Sequence, residues 1–299
     1  MRFWRESAKQ GSFQPRNEGG AGEPAPSLMQ TVPKHSTDLI WPYKGKLAIF
    51  TSFYSFQAYA PYVISLAQTL GVLSRLGIDH EYMARPSDFH VERAINNTLT
   101  ELMERDDFTD VLLIDSDESW EPESVVRLLQ YPDEIVAGSY RMKNHDDAYV
   151  GSIKQIDGVP VGRMYPDGTA LVEATRVAAG FLRIKISALR KWAAAYPELV
   201  SEEHDGKKVQ FFSRGIKDGI QHCQDMMFSR RWIDIGGQLW IDPTLKVNHW
   251  WMECHKGDFD GYLRELKKKQ SPMTETKAFE ILAQMGRDIE DRSQKEKQK

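Results

Sequence analysis

Short, continuous apolar runs along the chain alternate with longer stretches of helical period, a pattern that predicts a layered α/β domain. Lys46–Ser52, KLAIFTS, is apolar until it ends in small polar residues and is the first predicted strand. Pro61 then opens an amphipathic stretch, Tyr62–Leu76, which Gly77 stops. Asp79–Met83 is the second strand, and Val91–Arg105 is a helix whose mixed polar face carries Arg93 and Asn97. Asp110–Asp115, DVLLID, is apolar between its ends, as a central strand covered on both faces must be. A polar loop, SDESWEP, leads into a helix at Pro122–Gln130, and Glu134–Ser139 is another strand of the buried type.

Beyond Tyr140 the pattern changes. Tyr149–Val172 offers short strands with Gly turns, Ala178–Ile186 is strand-like, and Ser187–Ala195 is helical. A loop-rich stretch runs to Gly219; the helix Gln224–Ile235 and the strand QLWIDP follow. Residues 1–42, with GGAGEPAPS, cannot bury enough surface to offset chain entropy and form a disordered leader; residues 256–299 form a charged helical tail, Lys-rich at Lys267–Lys269. The expected architecture is one α/β domain over residues 43–255, with a mostly parallel central sheet flanked by helices.

Charge and cysteine content narrow the partners. The 299 residues carry a formal net charge of −4, which gives no general attraction to polyphosphate or anionic membrane. Two cysteines, Cys223 and Cys254, are too few for a disulfide framework. No run approaches the roughly 18 apolar residues of a membrane span, and the start of the chain lacks the apolar core of a secretory signal. The expectation is a cytoplasmic protein.

The chemistry concentrates in Asp115-Ser116-Asp117, at the carboxyl end of DVLLI. Open α/β sheets bind ligands outside the carboxyl ends of their strands. Two carboxylates one residue apart there can both reach a hard divalent cation, Mn²⁺ or Mg²⁺, which takes oxygen ligands and keeps positions open for phosphate oxygens. A lone D-x-D triplet reads as readily as a solvated turn with a helix cap. The apolar strand before it and the helix after it favour the metal reading.

The stretch from Arg93-Ala-Ile-Asn-Asn97 through DVLLIDSDESWEPESVVRLL to IVAGSY resembles the nucleotide-sugar half of GT-A fold glycosyltransferases (nucleotide-diphospho-sugar transferases), particularly family-2-like enzymes. Gln224-Asp225-Met-Met-Phe228 with Arg230, Arg231 and Trp232, followed by GGQLWIDPTLKVNH, is similar to their acceptor half. The similarity covers roughly Lys46–His255 and implies a set of roles. Thr51 and Ser52 border the base and ribose of the donor, and Arg93 and Asn97 approach the nucleotide. Asp115 and Ser116 line the donor, Asp115 and Asp117 bind ribose and metal, and His249 completes the metal site. Asp225 is the catalytic base of an inverting transfer, although Gln224 stands where the family often has Glu. Gly180 allows close approach to the donor sugar.

Several of these residues have a second reading. Arg93 can pair with Glu92 or Asp106 on a solvated face, and Asp225 can be a helix N-terminal acid. His249 can be structural, Gly180 can mark a strand bulge, and Trp250 and Trp251 fit a core as well as a sugar platform.

The implied donor is a nucleotide sugar, a UDP-sugar foremost, with Mn²⁺ or Mg²⁺. The acceptor is open between a glycan, a lipid carrier, a protein, a small molecule and a modified DNA base; compact transferases of this sort also occur in bacteriophages, where the setting is the host cytoplasm. Two other functions compete. A haloacid-dehalogenase-like phosphatase or phosphotransferase would use Asp115 as nucleophile, but Asp115-Ser-Asp-Glu-Ser119 lacks that family's usual Thr or Val. A non-catalytic sugar- or metal-binding module is the other, yet DSDES has neither the Gly nor the Glu of a calcium loop.

Overall fold

A computed structural model describes residues 30–31, 39–53, 56–86, 90–143, 148–204, 206–251 and 254–270. In chain order the first half runs β1 (Lys46–Phe53), α1 (Ala60–Arg75), β2 (Asp79–Pro86), α2 (Val91–Glu104), β3 (Asp110–Ile114), β4 (Glu118–Trp120), α3 (Pro122–Gln130) and β5 (Ile135–Ala137). The second half adds β6 (Val159–Met164), β7 (Ala170–Arg176), β8 (Phe181–Lys185), α4 (Ile186–Ala195), α5 (Gln224–Asp234), β9 (Leu239–Ile241), β10 (Val247–Trp250) and α6 (Phe259–Gln270). The expected leader lies outside the described residues up to Asp38, apart from Gln30–Thr31, which pair with Val161 and Gly162. The tail beyond Gln270 also lies outside them.

The main sheet has the spatial order β2-β1-β3-β8-β5-β9-β7-β6. Most of its strands point the same way; β8 and β7 run against their neighbours. The sheet is thus mostly parallel in direction, as the sequence pattern led us to expect.

Period-2 alternation explains why Leu47–Phe50 and Val111–Ile114 are apolar at every position. Ala48, Phe50, Val111 and Leu113 face a core built with α2, α4 and α5, which supply Leu99, Leu189, Trp192, Phe228 and Trp232. Leu47, Ile49, Leu112 and Ile114 face the opposite core, where α1 and α3 supply Tyr62, Leu73, Val125 and Leu128. A strand buried on both faces cannot afford a polar side. Arg183 on β8 is one exception: its fully buried guanidinium donates to the carbonyl oxygens of Leu128 (3.3 Å) and Tyr131 (2.9 Å) at the end of α3 and lies 3.5 Å from Asp110. Those bonds satisfy carbonyls that a helix end leaves orphaned.

Two stretches expected as loops are strands. Glu118–Trp120, in the expected polar loop, forms a small second sheet with Val247–Trp250 and Cys254–His255. The Trp120 ring is the reason: it is buried, its Nε1 donates to Thr69 (2.9 Å), and its backbone N–H donates to Ser65 (3.1 Å), both on α1. The stretch up to Gly219 contains two hairpins, Val200–Glu203 with Gly206–Val209 and Gly215–Lys217 with Ile220–His222. The second turns at Asp218-Gly219, both with positive φ (55° and 77°), the dipeptide favoured for two-residue hairpin loops. Among the described residues no helix is long and apolar enough to cross a membrane.

Candidate functional site

β1, β3 and β5 end at one edge of the sheet, and the antiparallel β8 begins there. Consequently Asp115, just past β3, pairs with Gly180, just before β8: the Asp115 N–H donates to the Gly180 carbonyl at 2.9 Å. Asp117 follows in a turn closed by the Glu118 N–H on the Asp115 carbonyl (3.3 Å). Both flanks of this turn are pinned. The Tyr59 N–H donates to the Ser116 carbonyl (3.0 Å), and the Trp250 N–H donates to the Asp117 carbonyl (2.8 Å). β10 pairs with β4 so that His249 lies opposite Glu118.

That pairing brings His249 Nε2 to 3.8 Å from Asp117 Oδ1. His249 Nδ1 lies 2.9 Å from the Arg141 carbonyl, which can only accept, so Nδ1 carries a proton and Nε2 is the ring nitrogen turned to Asp117. The other oxygen of Asp117 is ion-paired with Lys143. Among the described residues no three His, Cys, Asp or Glu side chains gather closely enough to hold a metal ion by themselves. The donor types that do lie at this rim, carboxylate oxygens and an imidazole nitrogen, are ones that Mn²⁺ or Mg²⁺ accepts.

Asp225, in the first turn of α5, comes from the second half of the chain and lies near enough to Asp115 for their charges to interact. Burial pushes its carboxyl up to about 6, opposed by Arg176 and by a hydrogen bond from the Ala179 backbone. Burial, then the charges of Asp117 and Asp225, push Asp115 up to about 7, with Lys143 acting the other way.

Three participants were not singled out from the sequence: Glu118, Tyr140 and Lys143. Glu118 is wholly buried, and neither of its carboxylate oxygens makes a well-formed hydrogen bond. Burial and the neighbouring Asp115 and Asp117 raise its pKa well above the usual carboxylate range. Tyr140 is held as a phenol by burial and by the same acids, Glu118 first among them. The only local hint of Glu118 was its position two residues before a buried tryptophan.

Gly180 explains how these groups meet. A Cβ there would collide with Glu118 Oε1 and the Tyr140 hydroxyl and would stand 2.8 Å from Asp115 Oδ2. Its φ is ordinary; the requirement is for space. Gly180→Ala is expected to destabilise the protein by about 1–3 kcal/mol through overpacking, seen as a lowered urea midpoint, with substrate turnover falling further than the stability loss explains. Glu118→Gln tests the buried acid. The neutral form is favoured in the fold, so stability is fully present below the unfolded value near 4.5 and is lost as pH rises above it. The Gln variant should therefore melt at a higher temperature than wild type at pH 8 in EDTA, with the difference vanishing near pH 4.5.

The remaining expected donor residues sit at the same edge but outside this cluster. Thr51 is buried, and its hydroxyl is bonded to that of Tyr62 (2.6 Å). Ser52 and Ser116 are partly exposed. Arg93 lies in the first turn of α2, and Asn97 lies one turn on, with its Oδ1 buried and without a hydrogen-bond partner. Neighbouring Asn96 is structural, holding Phe212 through both its N–H (2.8 Å) and its carbonyl (2.9 Å). Trp251 is 57% exposed, so it does not serve the core.

No protein-family model and no curated protein sequence matches the chain. Solved structures to which it is similar include glycosyltransferases. One is the catalytic domain of Drosophila beta1,4galactosyltransferase 7 in complex with xylobiose, at 14% identity over 67% of this chain and 66% of that one, TM-score 0.39. Another is GalNAc-T7 with UDP, GalNAc and Mn²⁺, at 9% identity and TM-score 0.42, covering 69% of this chain and 44% of that one. A third is A197 from STIV, at 16% identity over 70% of this chain and 86% of that one, TM-score 0.41.

Proposed function

We propose that the chain is a metal-dependent glycosyltransferase that moves a sugar from a nucleoside diphosphate, a UDP-sugar foremost, to an acceptor hydroxyl with inversion. The observation that carries this reading is the approach of His249 Nε2 to Asp117 Oδ1 (3.8 Å) just past β3 at the carboxyl edge of the sheet, with Asp225 near enough to Asp115 for their charges to interact.

Asp115, Asp117 and His249 would hold Mn²⁺ or Mg²⁺. Bound there, the cation would offset the charge of the departing diphosphate. The chain's own groups do the rest. Asp225, with a pKa near 6, is ionised at neutral pH and can take the acceptor's proton as its oxygen attacks the anomeric carbon and the bond to the diphosphate breaks. Tyr140 stays protonated and can donate a hydrogen bond to a sugar or phosphate oxygen. Ser52, Ser116, Arg93 and Asn97 would border the nucleotide, because α2 begins at the ligand-binding edge. The acceptor, whether glycan, lipid carrier or modified DNA base, is fixed by none of these groups.

The test is a panel of nucleotide sugars incubated with the protein with and without Mn²⁺, with released nucleoside diphosphate as the readout. Release from at least one UDP-sugar, abolished by EDTA, is expected. Formation of an aspartyl-phosphate on Asp115, or binding without any turnover, would overturn the reading.

A further inference from the structure

Lys143 makes two contacts that its position in the sequence does not explain. Its ammonium is ion-paired with Asp117 Oδ2, and it lies 5.5 Å from the centre of the Trp251 ring. Asp117 thus presents its two oxygens to different partners, Oδ2 to Lys143 and Oδ1 towards His249 Nε2. Neither partner of the pair is deeply buried; their side chains are 20% and 24% exposed. The ammonium sits among three acids, Asp115, Asp117 and Glu118, and it opposes the accumulated negative charge on Asp115 and Glu118.

We propose that Lys143 is the resident counter-charge of the cation site: its ammonium and a divalent cation are alternative partners of Asp117, and the displaced ammonium passes to the donor's diphosphate. This rests on the reading of Asp117 as a metal ligand. Two cations on one carboxylate repel each other more strongly than a partly exposed ion pair holds them. Lysine suits an exchange of partners, being a point charge with three donors on a flexible four-carbon stem. The face of Trp251 attracts the ammonium as well and keeps it at the rim after it leaves Asp117. A diphosphate held by the cation at Asp117 comes within reach of that ammonium. Binding of cation and nucleotide is then coupled, since each makes room for or rewards the other, and the coupling is reciprocal.

The test uses the full chain and needs no turnover. Mn²⁺ is titrated into wild type, Lys143→Met and Asp117→Asn, with free Mn²⁺ read by its paramagnetic resonance signal. UDP is then titrated calorimetrically at saturating Mn²⁺. Without nucleotide, Mn²⁺ should bind Lys143→Met about tenfold more tightly than wild type, because a competing cation is gone. UDP should bind the same variant about tenfold more weakly, because its diphosphate has lost a cationic partner. These opposite signs are the signature, and a merely structural lysine would produce neither. Equal or weaker Mn²⁺ binding by Lys143→Met, with binding still lost in Asp117→Asn, would overturn the role of Lys143 and leave the metal site standing. Absence of Mn²⁺ binding in wild type and in Lys143→Met, with and without UDP, would overturn both.

Discussion

Asp117→Asn is expected to lower release of nucleoside diphosphate from the donor by about a thousandfold while leaving the fold intact. The carboxamide keeps the shape of the side chain, and the turn is held by the backbone: the Asp117 carbonyl still accepts the Trp250 N–H. What is lost in stability is a partly exposed ion pair with Lys143, worth about 1 kcal/mol or less. The melting temperature should therefore move by only a few degrees while turnover collapses. Full activity in this variant would remove Asp117 from the metal site.

Asp225→Asn separates chemistry from binding. Loss of a positioned general base costs about 10² to 10⁴ in rate, so transfer should nearly cease while the donor binds as before. Wild-type kcat/KM should rise with pH through about 6, as Asp225 loses its proton, and the variant should lack that limb. The sign of the stability change distinguishes the base from a helix-capping acid. A carboxyl raised to about 6 by burial contributes stability below its usual value of 3.8 and loses it as pH rises to 6. At pH 8 the Asn variant should thus be at least as stable as wild type. An acid kept only for the helix macrodipole would show the reverse, a melting point lowered with transfer preserved.

The fold was legible where the local pattern carries its own explanation. The DVLLI run announced a strand covered on both faces and KLAIFTS a first strand, and the alternate residues of both feed two cores. The reversal of β8 was not legible, because an apolar run gives the presence of a strand and not its direction. Glu118–Trp120 was missed for a related reason. Three residues are too few to show a period, and their partners, Val247–Trp250, lie in a distant part of the chain.

The candidate site divides along the same line. Asp115 and Asp117 could be found because a strand and a helix bracket them. Gly180 stood out by its residue type, though its contribution, space for Glu118 and Tyr140, appears only in three dimensions. Lys143 meets Asp117 across 26 residues of chain, and nothing local marks it. Thr51 came from the family resemblance, and its hydroxyl is hydrogen-bonded to Tyr62, a partner no local pattern announces.

Everything functional here depends on an acidic rim that binds a nucleoside diphosphate through a divalent cation. Calorimetric titration of UDP into the wild-type chain, in Mn²⁺ and again in EDTA, addresses that directly. UDP should bind at least about tenfold more tightly with Mn²⁺, and the enhancement should vanish in Asp117→Asn. Equal affinity in Mn²⁺ and EDTA, or an enhancement that survives the loss of the Asp117 carboxylate, would contradict it.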